Sequence, residues 1–157
     1  MKFSPHIAFL GKCKEAFETY QSIFGSDSLQ MVTYGETPAK EHMPEEMHSQ
    51  IIHARMKIAN IDLMGADCPP ERYTGKPTGF EIAVQVDSVA EAQRIYDALT
   101  PGANIIMPLG PTFWSQSFAM FEDRFGIPWM VNCELPCQAQ IDVGCQAQNT
   151  VQDTQAA

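Results

Sequence analysis

The chain is poor in basic residues. Ten Lys and Arg stand against nineteen Asp and Glu, which gives a formal net charge of −9. The basic residues are scattered, and such a surface attracts neither a phosphate backbone nor an acidic lipid headgroup. The composition therefore argues against nucleic acid or an anionic membrane as a partner.

Three further patterns are absent from the sequence. No apolar run approaches the roughly 18 residues of a membrane span, and no charged segment followed by an apolar one opens the chain, as a secretory signal would. The five cysteines are odd in number and contain no CxxC pair, which argues against a disulfide framework or a structural zinc site. We therefore expect a cytoplasmic protein.

What the sequence does contain is a repeated unit of strand and helix. Residues Phe80–Val86 alternate between apolar and polar side chains, which is typical of a half-buried strand. Asp87 or Ser88 can cap the helix that follows, and its apolar residues recur at spacings of three and four. A similar unit lies 76 positions upstream, beginning at Pro5. This order indicates an internal duplication.

The duplication predicts the organisation of the whole chain. Residues 1–67 form a first βαβββ module, 68–78 a proline-rich linker, and 79–135 a second βαβββ module. The glutamine-rich tail, 136–157, cannot bury enough apolar surface to become ordered. The fold class is α+β, with the two modules forming a cup-shaped mixed sheet. The irregular segment 35–50 is interpreted either as a lid over a site or as an ordinary surface loop.

With one helix covering each sheet, the opposite faces are left to line a cup. In the first strand, this alternation places His6 on the helix side. The face predicted to line the cup is half apolar and carries isolated charges, which suits a small organic molecule with a polar group. Phe113 and Trp114 add one aromatic wall. The strand residues predicted to line the cup are Pro5, Ile7, Phe9, His53, Arg55, Asp62, Met64, Glu81, Ala83, Gln85, Pro128, Met130 and Asn132.

Several short segments of the chain match a known family. They are Gly11 with AFETY at Ala16–Tyr20, HAR at His53–Arg55, LMGAD at Leu63–Asp67, TFW at Thr112–Trp114 and EDRFGIPWMVNCE at Glu122–Glu134. Through these segments, residues 1–135 resemble the PhnB-like branch of the vicinal oxygen chelate superfamily, which also contains glyoxalase I, extradiol dioxygenases and the bleomycin- and fosfomycin-resistance proteins. The resemblance implies paired βαβββ modules and a homodimer.

The resemblance also implies where a metal site would lie. Metal-dependent members place one ligand on the first and one on the last strand of each module, which here means Pro5, a position near Asp62, Glu81 and Met130. Proline has no donor atom, and a thioether is a poor ligand for a hard divalent metal. This site is therefore degenerate.

A metal site assembled from other residues remains open at this point. His53, Asp62 and Glu81 would offer an imidazole and two carboxylates to Zn, Ni, Mn or Fe. The alternative is that these side chains form hydrogen bonds with Arg55 or with water. Without a metal, Glu81 is the candidate general base if it is buried in the cup, and an ion pair with Arg55 is the competing interpretation.

Two classes of function follow. One is an enzyme of the lyase, isomerase or dioxygenase type that acts on a small polar metabolite. The other is a non-catalytic protein that binds and sequesters a small molecule. No glycine-rich nucleotide loop follows any strand, so an adenosylmethionine site has no support. The residues predicted to bind the ligand are His53, Arg55, Met64, Gln85, Phe113, Trp114 and Met130.

Overall fold

The computed structural model describes residue 1 and residues 3–136, and the chain divides into two compact units. Unit 1 spans Met1–Gly75, and unit 2 begins at Lys76. The division falls inside the proline-rich segment 68–78. The prediction of a disordered tail concerns residues of which all but the first lie outside the described part of the chain.

Unit 1 is a four-stranded mixed sheet with one helix. The strand order is β1-β4-β3-β2; β1 runs parallel to β4, and the other two pairs are antiparallel. This is the predicted βαβββ order. The elements are β1 (His6–Phe9), α1 (Cys13–Phe24), β2 (Gln30–Thr33), β3 (Ile51–Ile58) and β4 (Ile61–Asp67).

Helix α1 packs one apolar stripe on β3 and β4. It ends at Gly25, whose φ of 66° is left-handed and whose N–H donates to the Gln21 carbonyl. The Phe17 ring lies so close to β4 that a Cβ at Gly65 would be 2.6 Å from it. The buried residues of α1 are Cys13, Ala16, Phe17, Tyr20 and Ile23.

Unit 2 repeats the same topology, with order β5-β8-β7-β6 and a parallel β5–β8 pair. The prediction of two βαβββ modules is therefore confirmed. Ser88 caps its helix by accepting a hydrogen bond from the Glu91 N–H at 3.2 Å. The elements are β5 (Ile82–Val86), α2 (Val89–Leu99), β6 (Asn104–Gly110), β7 (Ser115–Glu122) and β8 (Pro128–Glu134).

The predicted facing of β1 is wrong. Ile7 and Phe9 are 4% and 2% exposed, and the Phe9 ring contacts Phe17 of α1 at a centroid distance of 6.3 Å, so they face the helix. His6 is instead exposed on the opposite face. The error follows from assuming one constant offset of 76. Three residues join β1 to α1, including Gly11 at φ 68°, whereas two residues join β5 to α2.

The segment between β2 and β3 contains three short 3-10 turns. It is held to its own unit: Met47 is buried, and the Tyr34 hydroxyl donates to the Asp67 carbonyl at 2.9 Å. The Asp67 carboxylate accepts hydrogen bonds from the Cys13 and Ile51 N–H groups, both at 3.0 Å. One buried aspartate thus ties together the start of α1 and the start of β3.

Within the described part of the chain, no helix is both long and apolar enough to cross a membrane.

Candidate functional site

Each sheet has one face covered by its helix and one face turned away from it. We call the second face the open face. In unit 1 the strand register aligns four open-face residues across the whole sheet, namely His6, Met64, Arg55 and Gln30. The open face of unit 1 is therefore polar. It carries Arg55 and Met64 as the sequence predicted, together with His6, which was assigned to the other side.

An ion pair dominates this face. Arg55 Nη2 donates to Asp62 Oδ2 at 2.7 Å, and the carboxylate is almost buried while half of the Arg55 side chain is exposed. The pair lines a shallow pocket of about 210 Å³ with Ser28, Gln30 and Lys57. Because Asp62 neutralises Arg55, the pocket presents the N–H groups of a paired guanidinium at this point, and Lys57 adds a second cation to the lining.

The structure does not bring His53 and Asp62 together. Asp62 pairs with Lys57, four residues from His53 along β3, and at about 3.3 Å per residue this is a separation of about 13 Å along the strand. In residue 1 and residues 3–136, no group of three or more His, Cys, Asp or Glu side chains is placed to hold a metal ion.

The open-face positions at the β1–β4 and β5–β8 pairs do not fit a hard metal either. They are His6 beside Met64 in unit 1 and Ala83 beside Met130 in unit 2. Two thioethers, one imidazole and a methyl group are not the oxygen-rich or imidazole-rich donor set that divalent metals of this kind prefer. We derive no step through a metal.

The open face of unit 2 is apolar at its centre. Its register aligns Ala83, Met130, Met120 and Met107 across the four strands. The three methionines are half-buried or exposed, so their thioethers form an adaptable apolar surface. Met130 lies here as predicted, between the buried residues Trp129 and Val131 on the helix side.

An aromatic cluster lies beside the methionines. The rings of Phe113 and Trp114 meet edge to face at 4.5 Å, and Trp114 meets Phe118 at 5.6 Å. Thr112 Oγ1 accepts hydrogen bonds from the N–H groups of Trp114 and Ser115, which fixes the turn before β7. Phe113 is 71% and Trp114 41% exposed, so this cluster offers a large ring surface to an apolar partner.

Two amides complete this face. Asn132 Nδ2 donates to Gln85 Oε1 at 2.8 Å, and the two residues are paired across β5 and β8. On its other side Asn132 is paired with Phe118 of β7. The amide pair therefore borders both the methionines and the aromatic cluster.

Glu81 precedes the first residue of β5 and is exposed. The general-base interpretation requires burial, which the structure does not provide at this position. Arg55, the partner considered for Glu81, is paired with Asp62 instead.

Sequence reasoning did not select His6, Phe118 or Met120 as site residues. His6 was missed because of the reversed facing of β1. Phe118 and Met120 lie on the same face of β7, but over much of its length that strand carries apolar residues on both faces. The sequence pattern therefore does not show which face is covered by the helix.

Comparison with known proteins agrees with this architecture. The model of the glyoxalase/bleomycin resistance protein/dioxygenase superfamily matches residues 4–131. The chain therefore belongs to that superfamily. Its relatives further support a PhnB-like member. Protein YjdN of Escherichia coli is 34% identical over 142 residues, covering 84% of this chain and 95% of that protein.

Solved structures give the same result. Protein PA1353 from Pseudomonas aeruginosa is 41% identical, with a TM-score of 0.78 over 85% of this chain and 98% of that one. A PhnB protein from Bacillus cereus, described as a putative 3-demethylubiquinone-9 3-methyltransferase, is 25% identical, with a TM-score of 0.69 over 85% and 99%. The fosfomycin resistance protein FosX from Listeria monocytogenes shares the fold at 13% identity and a TM-score of 0.56, over 89% and 98%.

Proposed function

We propose that this protein binds a small organic molecule on the open face of unit 2, without a metal centre. The observation that carries the proposal is the pair of exposed rings, Phe113 and Trp114, which rest on the buried ring of Phe118 beside three methionines. Flat rings and flexible thioethers next to a few fixed polar groups are the composition of a small-molecule site.

The proposal is one of binding rather than of a named reaction. Glu81 is exposed, and His53 and Asp62 lie apart, so the residues considered for catalysis do not converge. The methyltransferase activity in the name of the Bacillus cereus relative is not carried over, since no strand here is followed by a glycine-rich nucleotide loop. Dimerisation and cytoplasmic location stay predictions.

The experiment uses Trp114 as its own reporter. Trp114 is 41% exposed, whereas Trp129 is 1% exposed and buried in the core, so a ligand on the open face changes the emission of Trp114 alone. The probe is phenol, a small ring with a hydroxyl group, and tryptophan is excited where phenol does not absorb. We expect a saturable emission change that the matched variant Trp114→Phe loses. An emission change that persists in Trp114→Phe, or none in the wild type, contradicts the proposal.

A further inference from the structure

The buried polar atoms of unit 2 include one acceptor that lacks a hydrogen bond. Within the described residues, the Oδ1 atom of Asn132 is buried without any hydrogen-bond partner. The amide nitrogen of the same side chain is engaged, because Nδ2 donates to Gln85 Oε1. Buried polar groups in proteins are nearly always hydrogen-bonded, so an acceptor held in this way indicates a missing donor.

The Gln85 side chain meets the Asn132 amide on one side. Gln85 Oε1 accepts from Asn132 Nδ2, so the Asn132 oxygen points away from Gln85. On the other side of Asn132 the register places Phe118, which contacts Trp114. The unpaired acceptor therefore lies next to the aromatic cluster of the proposed binding face. Because this oxygen is closed to solvent in the free protein, a ligand reaches it only by displacing a side chain that covers it.

The charges of unit 2 favour a ligand without negative charge. From Lys76 onward the sequence contains three basic residues, and each has a partner. Lys76 pairs with Glu122, and Arg94 pairs with Glu91 on α2. The third, Arg124, lies 4.7 Å from the centroid of the Phe125 ring. A carboxylate or phosphonate would meet the Asn132 oxygen without a free cation from unit 2 to offset its charge.

We propose that the ligand of this face carries a neutral N–H or O–H donor on an apolar ring, and that the donor binds to Asn132 Oδ1. The inference rests on the proposed function, that the open face of unit 2 binds a small molecule. It adds the chemical class: amides, hydroxyls and ring N–H groups are accepted, and rings that present only acceptors are disfavoured.

The test compares two matched probes, phenol and anisole. They share one ring, but anisole replaces the hydroxyl donor with a methyl ether that can only accept. Binding is followed by NMR through the side-chain amide signals of Asn132 and Gln85, in the full chain. Because the donor pairs with an otherwise unsatisfied acceptor, we expect phenol to bind about five to ten times more tightly than anisole.

Three variants test whether the preference for phenol over anisole comes from Asn132. Asn132→Leu should bind both probes equally, and Gln85→Leu should reduce the preference, because it frees the Asn132 amide to rotate. Asn104→Leu is the matched control, because it removes an amide from the edge strand of the same sheet. It should leave the preference for phenol unchanged. The wild-type ratio of affinities needs no variant, so a misfolded Asn132→Leu does not prevent the test.

The outcomes separate the two proposals. Equal binding of phenol and anisole to the wild type overturns the donor inference and leaves the binding face in place. Tighter binding of anisole overturns the inference as well. Binding of neither probe overturns both the inference and the proposed function.

Discussion

The two units share one topology and differ on their open faces. The row across unit 1 contains His6, Met64, Arg55 and Gln30, and the corresponding row across unit 2 contains Ala83, Met130, Met120 and Met107. The two rows share a residue type at one position only, which is the methionine of the last strand, Met64 in unit 1 and Met130 in unit 2. One copy of the fold presents a charged surface with an internal ion pair, whereas the other presents an apolar surface.

The helix-covered sides also differ, but in a compensating way. In the parallel strand pair of each unit, unit 1 has Gly65 where unit 2 has Val131. The missing side chain at Gly65 is replaced by the ring of Phe17 from α1. The space between helix and sheet must be filled at close packing, and the side chain that fills it can come from either the strand or the helix. The open side is under no such constraint and can diverge.

The largest effect is expected from breaking this compensation. Gly65→Val places a side chain where a Cβ alone would be 2.6 Å from the Phe17 ring, and Phe17 is fully buried. Overpacking of this kind should destabilise the protein by about 3 kcal/mol. Urea denaturation measures the loss. Gly110→Ala is the control, because nothing lies within 4 Å of a Cβ there. Equal urea midpoints for the two variants would contradict the packing argument.

Each unit also holds a buried aspartate that accepts hydrogen bonds from backbone N–H groups. Asp67 accepts from Cys13 and Ile51, whereas Asp123 accepts from Phe125, Ile127 and the Trp129 indole. Substituting either aspartate by alanine leaves these donors without that acceptor and should cost about 2 to 4 kcal/mol.

The Trp129 indole distinguishes the two aspartates. Its N–H donates to Asp123 Oδ2 at 2.8 Å, so Asp123→Ala should shift the indole N–H signal in NMR. Asp67→Ala should leave that signal in place, since Asp67 serves the other unit. A shift of similar size in both variants would mean that the two aspartates do not act within separate units.

A smaller effect is expected on ligand affinity. Trp114→Ala removes the central ring of the aromatic cluster and should weaken phenol binding about tenfold. His53→Ala in unit 1 and Glu81→Gln should leave the affinity unchanged, as should dialysis against a metal chelator. Titration followed by NMR gives each constant. Loss of binding in His53→Ala would indicate that the ligand binds to unit 1. Loss of binding after chelation would indicate that binding requires a metal ion.

The smallest effect concerns two exposed carboxylates. The Thr33 N–H and hydroxyl both donate to Glu36 and lower the pKa of its carboxyl, whereas Arg94 lowers the pKa of Glu91 in unit 2. Because the folded pKa of Glu36 is depressed, its contribution to stability is present above the unfolded pKa and is lost as the pH falls through the folded pKa.

NMR titration distinguishes the causes of the two lowered pKa values. Thr33→Val keeps the backbone donor and should move the pKa of Glu36 only part of the way back. Added salt should raise the pKa of Glu91 more than that of Glu36, because only Glu91 depends on a charged partner. Equal salt responses would contradict this assignment.

Much of the fold could be predicted from the sequence. The alternation in β3 and the helical stripe of α1 each have a single period and a single consistent face, so their burial followed directly. The facing of β1 could not be obtained in the same way. That strand has only four residues and carries apolar side chains on both faces, with Ala8 opposite Ile7 and Phe9, and the connection that contains Gly11 has one extra residue, which reverses the phase of the strand relative to the helix.

The candidate site was predictable only in part. Met130, Gln85 and Trp114 follow from alternation and position, but the unpaired Asn132 oxygen depends on which way two amides are turned. Likewise the Arg55–Asp62 pair depends on strand register, which decides that Asp62 lies near Arg55 rather than near His53. Register and rotamer are tertiary properties, and the period of a sequence does not contain them.

The most direct test of the binding face uses its methionines. With the methionine methyl groups labelled with ¹³C, a phenol titration should produce its largest shifts at Met107, Met120 and Met130, which are aligned across unit 2. Met56, fully buried in unit 1, serves as the reference that should not move. Shifts confined to Met64 on the open face of unit 1, with the three methionines of unit 2 unmoved, would contradict the central claim.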